Sequence, residues 1–259
     1  MKKHTVLAAI LLLVCSVTYA QDPANQFRAT STGVVMAERS VTLSAKIIGR
    51  VSSVSAEEGD RVDGGGILVD IEDAELRANL AAAQARLRME ELNWAHQKKL
   101  AERIRNLREQ GTVSAENLDD ANFKVDAAEQ SVASANAEIA RARAMLAETK
   151  IRAPFAGVII RRDVEPGDVT APGEPLLVLE DHGSLKLRTS VKEQDIARIE
   201  TGQTVTVTID ALDSLALTAT VTKIIPSGDL STHEFVVEAT LPEHDGVYPG
   251  MFGKAAFAR

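Results

Sequence analysis

Five histidines, four methionines beyond the initiator, one cysteine and a run of three glycines are the residues that could bring chemistry to this 259-residue chain. Imidazoles bind zinc or copper when they recur at helical or loop-ligand spacing, and thioethers bind copper when they cluster. His4, His96, His182, His233 and His244 fall singly, and Met36, Met89, Met145 and Met251 are scattered. Neither set builds a metal site. Glu243-His244-Asp245 reads most simply as an exposed turn. Gly64-Gly65-Gly66 leads into an apolar strand and not into a helix, so it lacks the helix N-terminus on which a phosphate loop depends. No nucleophile elbow and no zinc signature occurs. The chain is therefore expected to be non-enzymatic, with no cofactor and no metal, and to act through its surfaces.

Surfaces need a scaffold, and here one is written twice. Ala45, Gly49, Glu57, Gly59, Asp60, Gly65, Leu68, Glu72 and Asp73 recur 108 positions later as Ala153, Gly157, Glu165, Gly167, Asp168, Gly173, Leu176, Glu180 and Asp181. Two copies of one supersecondary unit explain the spacing. In each copy a β-rich stretch, Val51 to Val54 or Val158 to Ile160, runs into Glu-x-Gly-Asp, then a glycine, then an apolar strand. Glycine supplies the positive φ of such turns, and aspartate accepts the nearby amide hydrogens. The strands Ile67 to Ile71 and Pro175 to Leu179 are nearly continuous apolar runs, which predicts burial on both faces. Half a sandwich cannot hide them, so the two halves are expected to pack on each other across the intervening chain.

That intervening chain has a different texture. From about Asp73 to Gln110, and again from Ala115 to Thr149, there is no proline and strong helix formers dominate. At about 1.5 Å per residue, stretches of about 38 and 35 residues give helices of roughly 50 to 57 Å, which must protrude from any small domain. Leu118, Ala121, Val125, Ala128, Val132, Ala135, Ile139, Ala142 and Leu146 follow at spacings of three and four, a heptad seam. Leu76, Leu80, Ala83, Leu87, Trp94, Ala101 and Ile104 answer it, interrupted by Glu90 and Gln97, so the midpoint is expected to be the weaker part of the coil. Gly111 suits the left-handed residue that closes a helix, and Ser114 can cap the next one, with Glu116 in its first turn. The two helices are thus expected to run antiparallel. Arg86, Arg88, Arg103, Arg105, Arg108, Arg141 and Arg143 read mostly as a solvated face with acidic neighbours. On the coil pattern alone, a solvated spacer is an equal reading of the hairpin.

The first twenty residues have the form of a secretory signal peptide: Lys2 and Lys3, an apolar run from Val6 to Val17, then Thr18-Tyr19-Ala20. The run is short for a membrane span, which needs roughly 20 apolar residues. Cleavage after Ala20 is expected, with a retained anchor as the alternative. Cys15 lies inside the run, and Val14 before it is not the small residue that lipoprotein processing prefers. Loss of Lys2 and Lys3 takes the formal charge from -8 to -10, which opposes binding to nucleic acid.

A β-sandwich split by a long antiparallel coiled coil resembles the periplasmic adaptor subunits, or membrane-fusion proteins of the HlyD-like kind, of bacterial tripartite efflux pumps. Gly49-Arg50-Val51 through Glu58-Gly59-Asp60-Arg61-Val62 is similar to the first lipoyl half-motif of that family. Ile151-Arg152-Ala153-Pro154-Phe155-Ala156-Gly157-Val158, with Val164-Glu165-Pro166-Gly167-Asp168, is similar to the second and is the more specific. At the hairpin tip the adaptors that meet TolC-type ducts carry an Arg, a Leu four later and a Ser seven after that. Arg103, Leu107 and Ser114 stand at those positions. The resemblance implies that they dock with the duct, Leu107 by apolar contact, Arg103 as a charged donor and Ser114 as cap and small polar contact. The alternative is that Leu107 ends the seam, Arg103 is solvated and Ser114 only caps.

From Leu185 onward the sequence alternates in strand fashion, with Val205, Val207 and Ile209, then Leu215, Leu217 and Ala219, then Phe235 and Val237, then Met251 to Phe257. A short helix is expected over about Glu193 to Glu200. This part resembles the small β-barrel of the family, with the early strand Gly33 to Leu43 contributing and Tyr248-Pro249-Gly250-Met251 closing it. The expected class is α+β, elongated and modular. Its parts are a signal peptide (1–20), an N-terminal segment with the early barrel strand (21–44), the first lipoyl-like half (45–72), the coiled-coil hairpin (73–149), the second half (150–182) and the barrel (183–259). Family members serving resistance-nodulation-division (RND) pumps usually add a membrane-proximal domain, whereas this sequence stops at Arg259, so contact with the transporter is expected to fall mainly to the barrel. The resemblance implies a periplasmic, homo-oligomeric adaptor, a hexamer, between an inner-membrane RND transporter and an outer-membrane TolC-type channel, exporting small molecules. An ATP-driven (ABC) transporter is the alternative partner. A lipoyl or biotinyl carrier is the alternative from another class, disfavoured because Glu72-Asp73-Ala74 and the helical insertion occupy the place of the modified lysine, while Lys46 and Lys150 lie elsewhere. Hinges are expected where the two modules meet, near Asp73 to Glu75 and Glu148 to Ile151.

Overall fold

The computed structural model describes residues 28–229 and 231–258, and the expected signal peptide lies outside them. The chain first forms β1 (Arg28–Ala37), β2 (Ser40–Ser44), β3 (Gly49–Val54), β4 (Arg61–Val62) and β5 (Ile67–Ile71). Two long helices follow, α1 (Ala74–Glu109) and α2 (Ala115–Ala147), and then β6 (Lys150–Arg152), β7 (Gly157–Arg162), β8 (Val169–Thr170) and β9 (Pro175–Glu180). The last part holds β10 (Leu185–Lys192), the single turn α3 (Glu193–Ile196), β11 (Thr204–Ile209), β12 (Leu215–Ile224), β13 (Glu234–Thr240) and β14 (Phe252–Ala258).

The duplicated unit folds as one sandwich of two four-stranded sheets, ordered β2-β9-β7-β4 and β6-β5-β3-β8. Each sheet mixes strands from both copies. The hydrogen bonds repeat with the sequence: the Gly59 N–H donates to the Ile159 carbonyl, and 108 residues on the Gly167 N–H donates to the Val51 carbonyl, both at 2.8 Å. Gly65 N–H to Ala153 O (2.7 Å) and Gly173 N–H to Ala45 O (2.8 Å) form a second such couple. Each copy therefore completes the other by the same contacts, as in an isologous dimer fused into one chain. Ala45, Val51, Leu68, Val69, Ala153, Ile159, Leu176, Leu177 and Leu179 form the shared core. The apolar strands β5 and β9 are largely buried on both faces, as their composition predicts.

Strands β1-β10-β13-β12-β11-β14 close into a barrel in that order. Alternate residues point inward, among them Val35, Leu187, Val205, Val207, Ile209, Val237 and Phe257. The segment before β14 completes the closure, since Gly250 donates to the Val35 carbonyl and Val35 donates to the Met251 carbonyl, each at 2.8 Å.

Two expectations need revision. The strand expected over Gly33 to Leu43 divides: β1 stays in the barrel, whereas β2 pairs with β9 from Ser40↔Glu180 onward, so residues 40–44 lie in the sandwich. The break falls where Asp181 accepts from the Arg39 guanidinium at 2.6 Å and Glu38 N–H donates to Ser184 O at 2.8 Å. The helix expected to reach Glu200 ends at Ile196, because the chain tightens to Arg198→Asp195 and Ile199→Ile196 bonds that turn Ile199 into the barrel core.

Candidate functional site

The hairpin grows from two neighbouring strands of one sheet. β5 and β6 pair with Asp70 opposite Lys150, and the Lys150 ammonium meets the Asp70 carboxylate at 3.1 Å. The next amide, Ile71 N–H, donates to the Thr149 carbonyl at 2.9 Å, and Thr149 is wholly buried with its hydroxyl on Leu146 O. Lys46 meets Glu148 at 2.8 Å, and Arg77 meets Asp73 at 2.8 Å, a contact that raises the Arg77 pKa through the Asp73 hydrogen bond. The root expected to hinge is thus cross-tied on both strands, and Lys46 and Lys150 are engaged in holding it.

Along α2 the expected seam faces α1: Ala121, Ala128, Ala135 and Ile139 are buried, and Leu118, Val125, Val132, Ala142 and Leu146 are half-buried. Alanines in alternate seam positions let the helices approach closely, as Ala101 shows on the α1 side. Glu90 and Gln97 occupy α1 seam positions between larger apolar residues and are half-buried. Near them the Trp94 indole N–H is buried and has no hydrogen-bond partner among the described residues, and the Lys98 ammonium stacks 4.4 Å from the Trp94 ring. A buried donor left unpaired costs about 1–3 kcal/mol. Farther toward the root, the Arg86 Nη1 donates to both oxygens of Glu138, at 2.8 and 2.9 Å, and marks the alignment of the two helices.

At the tip, α1 ends in a Schellman arrangement. Gly111, at φ +75°, donates to Arg108 O at 2.8 Å, and Thr112 N–H reaches back to Leu107 O at 3.1 Å. The Thr112 hydroxyl donates to the same carbonyl at 2.8 Å. Ser114 then caps α2, its side-chain oxygen accepting from Asn117 N–H at 3.3 Å. Arg103 and Leu107, one helical turn apart, lie on the last turns of α1, with Ser114 at the start of α2. Leu107 is 36% exposed, and Arg103 makes no ion pair among the described residues. All three expected site residues therefore sit toward the far end of the hairpin, with the Leu107 carbonyl bound by Thr112 and Ser114 capping α2.

Among the described residues no group of three or more His, Cys, Asp or Glu side chains is placed to hold a metal, and no helix is long and apolar enough to cross a membrane. Asp229, whose pKa is lowered chiefly by the Ser231 hydroxyl, accepts bonds from Ser231 and Thr232 in an exposed barrel loop.

The described residues thus form a sandwich from which a long helical hairpin extends, followed by a closed barrel. Residues 39–181 match the CzcB-like, barrel-sandwich hybrid domain family, and residues 187–259 match the CusB-like, beta-barrel domain family. The chain belongs to this family of membrane fusion, or periplasmic adaptor, proteins of RND-type pumps. It is 31% identical to an uncharacterized protein of Haemophilus influenzae over 88% of this chain and 56% of that one. It is 27% identical to the multidrug resistance protein MdtA of Proteus mirabilis over 70% of this chain and 44% of MdtA. The chain thus spans about half the length of these curated relatives. The crystal structure of MacA from Actinobacillus actinomycetemcomitans shares the fold at a TM-score of 0.70 and 20% identity, over 90% of this chain and 80% of that one.

Proposed function

We propose that this chain is the periplasmic adaptor of a tripartite efflux pump, joining an inner-membrane RND transporter to an outer-membrane TolC-type duct as a homo-oligomeric ring. The barrel meets the transporter, the sandwiches stack into the ring, and the hairpins reach the duct. The relative named for multidrug resistance supports small molecules as the exported class. Energy comes from the transporter, and this subunit transmits its movements and seals the passage without catalysing a reaction.

The observation that carries this reading is the tip. Leu107 stands in the last turn of α1, at the end of a rod rooted in a buried sheet, with 36% of its surface open to solvent. Closing that open apolar surface against another protein would contribute to binding, which supports the tip as a docking point. Leu107→Glu is expected to reduce site-specific crosslinking to the duct about tenfold and to restore drug susceptibility, with helical content unchanged. Ser114→Asp keeps a capping oxygen, so any export defect it causes belongs to docking and not to a frayed helix. Export and crosslinking that both survive Leu107→Glu overturn the docking assignment.

A further inference from the structure

Where the barrel leaves the sandwich, its outer face bears a cleft of about 600 Å³. The floor is the ladder of β1, β10 and β13, on which alternate residues turn outward while Val35, Leu187 and Val237 turn into the barrel core. Register sets Val34 beside Arg188, and Ser190 beside Val236. Met36 follows two residues after Val34 on the same face, toward the sandwich, with 40% of its surface exposed. Pro249 and Gly250 form one wall, held by the bond from Gly250 N–H to Val35 O, and Ser40 and Glu180 of the sandwich close one end. Sites that take drug-sized molecules hold roughly 300 to 1,000 Å³, are mostly apolar and carry a few polar groups. This cleft has that size and that lining.

The one cation in the lining has donors to spare. Arg188, with 46% of its side chain exposed, makes no side-chain hydrogen bond among the described residues; the nearest carboxylate oxygen, on Glu238, stands 3.7 Å away, beyond hydrogen-bond length. Glu238 is engaged instead by Lys186, whose ammonium donates to it at 3.1 Å. A guanidinium carries its donors in a planar fork that fits the oxygens of a carboxylate or sulfonate. Glu180, the acidic residue of the lining, lies at the sandwich end, 3.6 Å from the His182 imidazole. An apolar floor of Val34, Met36 and Val236 thus surrounds a guanidinium that is free of hydrogen bonds.

We infer that this cleft binds a small amphipathic organic anion, with its apolar body on Val34, Met36 and Val236 and its acid group on Arg188. The lining asks for both parts. A wholly apolar molecule gains nothing from the guanidinium, and a simple inorganic anion leaves the floor in water, whereas an amphipathic anion gains burial and a charge-assisted hydrogen bond together. The site is built by the barrel and the adjoining end of the sandwich within one chain, so it depends neither on the duct contact nor on the ring proposed above.

The test titrates the full-length protein, labelled at the methionine methyl carbons, with anilinonaphthalene sulfonate, a dye that fluoresces out of water, and with phenyl-naphthylamine, a similar dye that lacks the sulfonate. Wild type is expected to bind the sulfonate dye saturably, one per chain, shifting the Met36 methyl signal and leaving those of Met89 and Met145, both exposed on the hairpin, in place. Arg188→Gln is expected to weaken the sulfonate dye about fivefold and to leave the neutral dye unchanged. Met36→Glu is expected to weaken both dyes, and Arg188→Gln, an exposed position, decides the case should Met36→Glu fold poorly. Laurate and naphthoate are expected to displace the sulfonate dye, and whichever does so at the lower concentration tells an alkyl anion shed by lipid from an aromatic one. Binding that does not saturate, Met89 and Met145 shifts that match Met36, an Arg188→Gln variant that changes both dyes alike or neither, or displacement by neither acid overturns the inference.

Discussion

Gly49 and Gly157 are the same residue of the repeated unit, yet their surroundings differ in how they would receive a methyl group. A Cβ on Gly157 would lie 2.3 Å from the Glu180 carbonyl oxygen, part of the neighbouring strand's backbone, which can move only by breaking the β7–β9 ladder. A Cβ on Gly49 would meet the Ile71 side-chain methyl at 2.5 Å, which can turn aside at the cost of repacking. Gly157→Ala is therefore expected to cost about 2–3 kcal/mol, and Gly49→Ala about 1 kcal/mol less, in chemical denaturation of the sandwich. Equal losses would show that the twin sites are limited by something other than this contact. The turn residues behave more symmetrically. Asp60 accepts from Glu57 N–H at 2.9 Å and Asp168 from Glu165 N–H at 2.8 Å, so the aspartates recognised from spacing alone do the same work in both copies.

The hairpin was legible because its information is local: heptad spacing names the seam, and Gly111 and Ser114 name the turn. The break between β1 and β2 was not, because it is made by Arg39 meeting Asp181, a partner 142 residues away that no local period encodes. For the same reason α3 stops early, since Ile199 is drawn into a core assembled from later strands. The tip residues were visible as positions, but the alignment of the two helices became visible only with the Arg86–Glu138 contact. The interruption of the seam, readable in the sequence, now has a physical consequence. Glu90→Leu and Gln97→Leu would each replace a half-buried polar side chain by one suited to the facing alanines and valines of α2. Each is expected to stabilise the coil by about 1 kcal/mol, measured as slower amide hydrogen exchange in the middle of α1 and α2. Unchanged or faster exchange there would mean that the polar pair is already satisfied and that the weak point is Trp94 alone.

For the whole molecule the question is whether the rod is needed to bring the two β halves together. The bonds argue that it is not. Ile71 N–H on Thr149 O closes the base of the hairpin, and β5 and β6 are adjacent strands of one sheet, so the ends of the insertion already stand at hairpin distance. Residues 73–148 can then be exchanged for Asn-Gly, leaving four residues between β5 and β6 (Glu72, the inserted pair and Thr149), a length that β-hairpins commonly use. The shortened chain also pays less loop-closure entropy, because the halves no longer meet across a long insertion. It is expected to keep a cooperative unfolding transition and dispersed amide resonances for sandwich and barrel, while losing duct crosslinking. A shortened chain that fails to fold would assign the coiled coil a part in assembling the sandwich, and the rod would then be a folding element as well as a reach.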